Sequence, residues 1–230
     1  MMNVLHYIPQ LLSGTVVTLQ LMVVALALGL CLALLLTACL ESGKIYLKAP
    51  IDAFVFVMRG TPLLVQFFII YYGSGQLFWL RETFLWSILK HPFGCAVIAL
   101  ALNTSAYTAV LFRGAIHSVP QGEIEACYAL GLSKWQMYRR IILPRAFRIV
   151  LPAYSNEVIM ILKSTSLAST ITLMDLMGVT RHLIALNFET IPMLILAGII
   201  YLLLNGIVMG VFTLFERKLS MKHYSIASSS

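Results

Sequence analysis

The chain has 230 residues, 60% of them hydrophobic and only 11% charged, with a formal net charge of +7 and a mean hydropathy of +0.91. A soluble domain carries about a quarter charged residues, so this composition excludes a water-soluble globule. The positive balance does not signal nucleic acid, because the basic residues fall in short segments between apolar runs rather than in one patch.

A helix needs roughly 20 mostly apolar residues to cross a bilayer core about 30 Å thick. Five runs qualify, at about 11–40, 52–78, 93–116, 149–173 and 191–215. The expected fold is an all-α membrane protein of five transmembrane helices, one domain over 1–230 with no second, soluble domain. With the N-terminus outside, the inside segments hold Lys44, Lys48, Arg113, Lys134, Arg139, Arg140, Arg145, Arg148, Arg217, Lys218 and Lys222. The outside loops then hold only Arg81, Lys90 and Arg181. That asymmetry predicts an N-terminus outside and a C-terminus in the cytoplasm.

In the first run Thr15, Thr18 and Gly29 are small or weakly polar and are expected to face other helices. The second contains "RGTPLLVQ", where Gly60 and Pro62 predict a kink or break, with Gln66 just beyond it. The loop 74–92 brings aromatic residues suited to the headgroup interface. The third run carries Asn103 and Tyr107 at mid-depth, and the fourth carries Asn156, Glu157, Lys163, Ser164 and Thr165. Seven residues bring a helical face round again. Glu157 therefore aligns with Ser164, and Asn156 with Lys163.

A charged side chain at the centre of an inserted helix costs about 2.5–3.5 kcal/mol. Either interhelical hydrogen bonding or a substrate path explains Glu157. As a path, Gln66, Asn103, Tyr107, Glu157, Ser164, Thr165 and Asp175 are the candidate residues, with Glu157 meeting a substrate cation. Asp175, near the outside end, equally suits cation attraction and an interface position.

Between the third and fourth runs lies "EIEACYALGLSKWQMYRRIILPRA", residues 123–146. Gly131 suits the left-handed position past a helix end. Ser133 and Gln136 have capping-box spacing, which predicts a second helix from about Lys134 to Ile142. Pro144 and Pro152 are expected to bend the chain into the fourth span. The basic residues Arg139, Arg140 and Arg145 read as solvated or on lipid phosphates. The five histidines are scattered, no cysteine or histidine spacing suits a metal, and there is no G-x-x-x-x-G-K-[ST] phosphate loop. No cofactor is expected, and the chain cannot supply ATP chemistry itself. The end "SIASSS" reads as a disordered tail.

Glu125-Ala126-Cys127, three residues, Gly131, nine residues, then Ile141-x-Leu143-Pro144 resembles the EAA signature of bacterial ABC importer permeases. Only Cys127 departs, standing where alanine is usual. "RGTPLLVQ", "LNTSAYTAVLFRGAIHSVPQGEIEA" and "PAYSNEVIMILKSTSLASTITLMDLMG" extend the resemblance to the permeases of polar amino-acid importers, of the arginine-transport (ArtM) type. The resemblance implies the type I importer permease fold in a bacterial inner membrane, with a cytoplasmic coupling segment at about 118–146. It also implies a second permease subunit, identical or homologous, a cytoplasmic ATPase dimer, a periplasmic substrate-binding protein and surrounding membrane lipid as partners. Glu125, Ala126, Gly131, Ile141, Leu143 and Pro144 would form the ATPase-coupling set. Arginine is the expected cargo, with histidine, lysine, ornithine or glutamine as alternatives. A passive channel and a membrane-embedded hydrolase are the rivals from other classes, and the hydrolase lacks a nucleophile–base pair.

Overall fold

The computed structural model describes residues 4–227, with the side chains of residues 4, 5 and 217–227 left undescribed. Arg217, Lys218, Lys222 and His223 as side chains, and the last three residues of the tail, lie outside what is described. Among the described residues, after a 3-10 turn at Val4–Tyr7, eight helices follow one another: α1 (Ile8–Glu41), α2 (Ile45–Gly60), α3 (Leu63–Gln76), α4 (Pro92–His117), α5 (Gln121–Ala129), α6 (Lys134–Ile171), α7 (Leu176–Asn187) and α8 (Thr190–Ala227). Two short turns, Phe78–Arg81 and Trp86–Leu89, occupy the loop before α4. No strand occurs among the described residues.

α1, α4 and α8 are each long and apolar enough to cross a membrane alone. Two bent pairs, α2 with α3 at 107° and α6 with α7 at 47°, bring the number to five if each pair counts as one span. The five apolar runs are therefore recognisable, but two of them are not simple rods.

α4 is the central helix. Its small residues, among them Ala96, Ala99, Ala101, Ser105, Ala106 and Ala109, are buried. They let α1 approach closely, as small residues do between helices in lipid. α1 answers with a seam of Thr18, Met22, Ala25, Gly29, Ala33 and Thr37, spaced three to four apart and buried. A Cβ on Gly29 would come within 2.3 Å of Thr104 Cγ2. Thr15 and Thr18 face inward as expected, each returning its hydroxyl proton to a carbonyl four residues earlier. α8 shows most of its aliphatic side chains, including Leu202, Leu203 and Ile207, to the outside.

Two expectations need correction. The helix beginning at Lys134 does not stop at Ile142: it runs on to Ile171 through Pro144 and Pro152. A wider π turn, Tyr138–Ile142, precedes Pro144 and takes up the misfit of a residue without an N–H. The stretch read as an outside loop containing Arg181 is instead helix α7, set off from α6 by Thr172 in the left-handed region (φ 67°).

Candidate functional site

The site begins at the break between α2 and α3. Pro62 has no N–H, so the carbonyl of Met58, four residues back, loses its helical donor. At membrane depth such a carbonyl must find a partner inside the protein. Two side chains supply it: Gln66 Nε2 donates to Met58 O at 2.9 Å and Asn103 Nδ2 donates to the same oxygen at 3.2 Å. Gln66 also donates to Thr61 O and Thr61 Oγ1, and its own Oε1 accepts from Asn103 at 3.1 Å. The break is thus clamped to α4.

Beside the clamp lies a cavity of about 730 Å³ between the α2–α3 break, α4 and α6. Asn103, Tyr107, Asn156, Glu157 and Ser164 line it, together with Arg59. Glu157 is half-buried, and its Oε1 accepts a hydrogen bond from Thr104 Oγ1 at 2.9 Å. The Arg59 guanidinium lies over the Tyr107 ring, 5.1 Å from its centroid, a cation–π placement. One guanidinium and one carboxylate therefore share a space rimmed by amides and hydroxyls. Such a space can bind a small zwitterion or cation through both charges.

Of the seven candidate path residues, the structure brings Asn103, Tyr107, Glu157 and Ser164 to the cavity wall, with Gln66 directly behind Asn103. Thr165 does not reach it. It is fully buried and returns its hydroxyl to Leu162 O at 2.7 Å. Asp175 does not reach it either. It is the N-cap of α7, accepting from Gly178 N at 2.9 Å and Met177 N at 3.3 Å, with Tyr201 donating to Oδ2 at 3.4 Å. A buried carboxylate satisfied by orphan helix N–H groups is positioned by structure, not for a ligand. The two stripes on α6 separate likewise: Asn156 lines the cavity while Lys163 is exposed elsewhere. Arg59 escaped sequence reasoning, although a lone arginine inside an apolar run directly before a Gly-Thr-Pro break was a usable signal.

The segment expected to couple to the ATPase is built as a helix–turn–helix. α5 ends in a Schellman turn: Gly131 has φ +72°, Gly131 N–H bonds Tyr128 O and Leu132 N–H bonds Cys127 O, both at 3.0 Å. Ser133 and Gln136 form the expected capping box. Cys127, Met137 and Ile142 are buried against Ala115, Ile116 and Val150, which shows why a small residue suits position 127. The opposite face is exposed: Glu125 and Ala126 sit with Tyr128, Leu130 and Trp135, and Leu130 is 78% exposed. Gly131, Leu143 and Pro144 are exposed as well, and Ile141 is half-buried. Arg145 is not merely solvated, because it pairs with Glu123 and ties α6 to α5. Glu41, at the end of α1, accepts from Tyr138 at 3.3 Å and contacts His117 Nε2 at 2.9 Å. Burial, and next the Glu41 carboxylate, push the Tyr138 hydroxyl above the usual phenol range, so it remains a donor.

Comparison with known proteins gives a consistent set of likenesses. The family model described as "Binding-protein-dependent transport system inner membrane component" matches residues 29–221. The octopine transport system permease protein OccM of Rhizobium radiobacter is 49% identical over 206 residues, covering 90% of this chain and 84% of its own. The arginine ABC transporter permease protein ArtM of Haemophilus influenzae is 42% identical over 217 residues, covering 94% and 93%. A crystal structure of an amino acid ABC transporter with histidines superposes with a TM-score of 0.84 at 31% identity, covering 93% of this chain and 96% of that one.

Proposed function

The chain belongs to the binding-protein-dependent transport system inner membrane components, as the permease of an amino-acid ABC importer in a bacterial inner membrane, and from that premise we propose that its cargo is a polar, basic amino acid, arginine first. ATP hydrolysis belongs to a separate subunit. The observation that carries the cargo reading is that Glu157 and Arg59 line one cavity. An arginine molecule bears a carboxylate at one end and a guanidinium at the other. The first complements Arg59 and the second Glu157, with Asn156 and Ser164 on the same wall for the α-ammonium. The likeness to an arginine permease supports this reading. The likeness to an octopine permease favours a second one, in which octopine is the cargo of the same site.

The exposed face of α5 and the turn at Gly131 form the dock for the ATPase dimer, with Glu125 and Ala126 at its centre. Its apolar side chains lie uncovered while its underside is packed, which is what a helix resting in a partner's groove requires. Ile141, Leu143 and Pro144 carry movement at that dock into α6, because the helix is continuous from there to the cavity wall. The N-terminus faces the periplasm, where the binding protein delivers cargo. Glu41, His117 and the coupling segment gather at one end of the bundle, and the lysine and arginine asymmetry puts that end in the cytoplasm. A second permease subunit completes the path.

The test is uptake into proteoliposomes carrying the permease with its ATPase and binding protein, over a panel of arginine, lysine, ornithine, histidine, glutamine and octopine. Arginine should be taken up best. Glu157→Gln keeps size but removes the charge, and should raise the half-saturating concentration about tenfold or more, as loss of a partly desolvated charge contact does. An unchanged half-saturation and a lowered melting temperature would make Glu157 structural.

A further inference from the structure

A second, smaller cavity of about 320 Å³ lies next to the first, lined by Leu40, Asp52, Val55, Val110, Arg113, Gly114 and His117. Val110 lines both cavities and is the shared wall between them. The first cavity holds Arg59 and Glu157, and the second holds Arg113 and Asp52. The same chemistry, one guanidinium and one carboxylate, thus recurs along the groove between α2 and α4. The second cavity sits toward the coupling segment: His117 lines it and contacts Glu41, which in turn accepts from Tyr138 of α6.

The two stations differ in one respect. Arg59 and Glu157 form no ion pair with each other, whereas Arg113 Nη1 and Asp52 Oδ1 are paired at 3.7 Å across the second cavity. Their side chains are 35% and 47% exposed. A pair that long and that exposed adds little to stability, so holding the fold together does not account for it. It is also weak enough to be exchanged. An amino-acid zwitterion with a cationic side chain carries both charges needed to replace each partner.

We propose that the Asp52–Arg113 pair is a cytoplasmic exit station, which opens to take the cargo's cation on Asp52 and its carboxylate on Arg113 after it passes Val110. This rests on the reading of the cargo as a basic amino acid. α2 suits the role because none of its residues is fully buried and its far end is the broken, clamped turn at Gly60–Pro62. It can swing on that break without unpacking a core. The link from His117 through Glu41 to Tyr138 places the station under the influence of the coupling segment.

The experiment uses the complete importer in proteoliposomes with arginine as the probe. Wild type, Asp52→Asn, Arg113→Gln, the conservative Asp52→Glu and Arg113→Lys, and the charge-exchanged double variant Asp52→Arg with Arg113→Asp are compared. Assembly with the ATPase is checked for each by co-purification. Asp52→Asn and Arg113→Gln should lower the maximal uptake rate about fivefold, the effect of one partly exposed charge contact, and raise the ATP consumed per arginine. The half-saturating concentration should stay put, because the first cavity is intact. The conservative variants should keep most of the rate. An unchanged maximal rate in both neutral variants overturns the exit station alone. So does full recovery in the charge-exchanged variant, since the pair would then be only a brace. A wild-type importer that moves no basic amino acid overturns the cargo reading first, and the station with it.

Discussion

At the scale of single residues, the broken helix shows how a membrane protein makes room for polar chemistry. Pro62 orphans one carbonyl, and an unsatisfied buried acceptor costs about 1–3 kcal/mol. Gln66 and Asn103 meet that cost by donating to Met58 O, and so hold the wall of the cavity still. Gln66→Leu removes one of these donors and leaves the Thr61 oxygens short as well. It should lower the melting temperature in detergent by a few degrees, with the loss of arginine uptake following from a displaced Asn103. Uptake lost at an unchanged melting temperature would mean that Gln66 meets cargo directly. Asp175 and Thr165 give the contrasting case. Their polarity suggested a path, yet a helix N-terminus and a carbonyl one turn back use them fully.

At the scale of elements, two glycines have separate duties. Gly131 is left-handed at +72° and has open space around it, so its role is conformational. Gly131→Val puts a β-branched residue at positive φ. It should cost about 1–3 kcal/mol locally, reduce co-purification of the ATPase and depress uptake, while the spans insert normally. Normal values of both readouts would remove the turn from coupling. Gly29 is helical, and its role is proximity. A side chain there strikes Thr104, whose hydroxyl donates to Glu157. Gly29→Val should push α1 from α4 at a cost of about 1–3 kcal/mol. It should also weaken arginine uptake without touching any cavity residue. The π turn at Tyr138–Ile142 belongs here too: it lets one helix run on from Lys134 past Pro144 into the bundle.

At the scale of the whole molecule, the packed centre is small-residue helix pairing between α1 and α4, and the outer surface is aliphatic side chains for lipid. Ionisable side chains gather at three levels along the bundle: Glu157 with Arg59, Asp52 with Arg113, and Glu41 with His117. The orientation is open to measurement. In a background with Cys31, Cys39, Cys95 and Cys127 replaced, Ser42→Cys should react with an impermeant thiol reagent only in inside-out vesicles. Glu82→Cys should react only in intact cells with a permeable outer membrane. Labelling of position 42 from outside would reverse the bundle.

Composition and run length alone determined that the chain lives in lipid and where its five apolar runs lie, because hydropathy needs no knowledge of neighbours. The Gly131–Ser133 turn was equally legible, since its hydrogen bonds close within a few residues. The break at Gly60–Pro62 was visible for the same local reason. What no linear pattern contained is which polar side chains share a space. Asn103 and Gln66 clamp a carbonyl on another helix, Arg59 faces Glu157 from an element about a hundred positions earlier, and Asp175 is consumed by a cap. Those outcomes depend on how α2, α4 and α6 pack, and a buried polar group takes whichever partner that packing brings within hydrogen-bond reach.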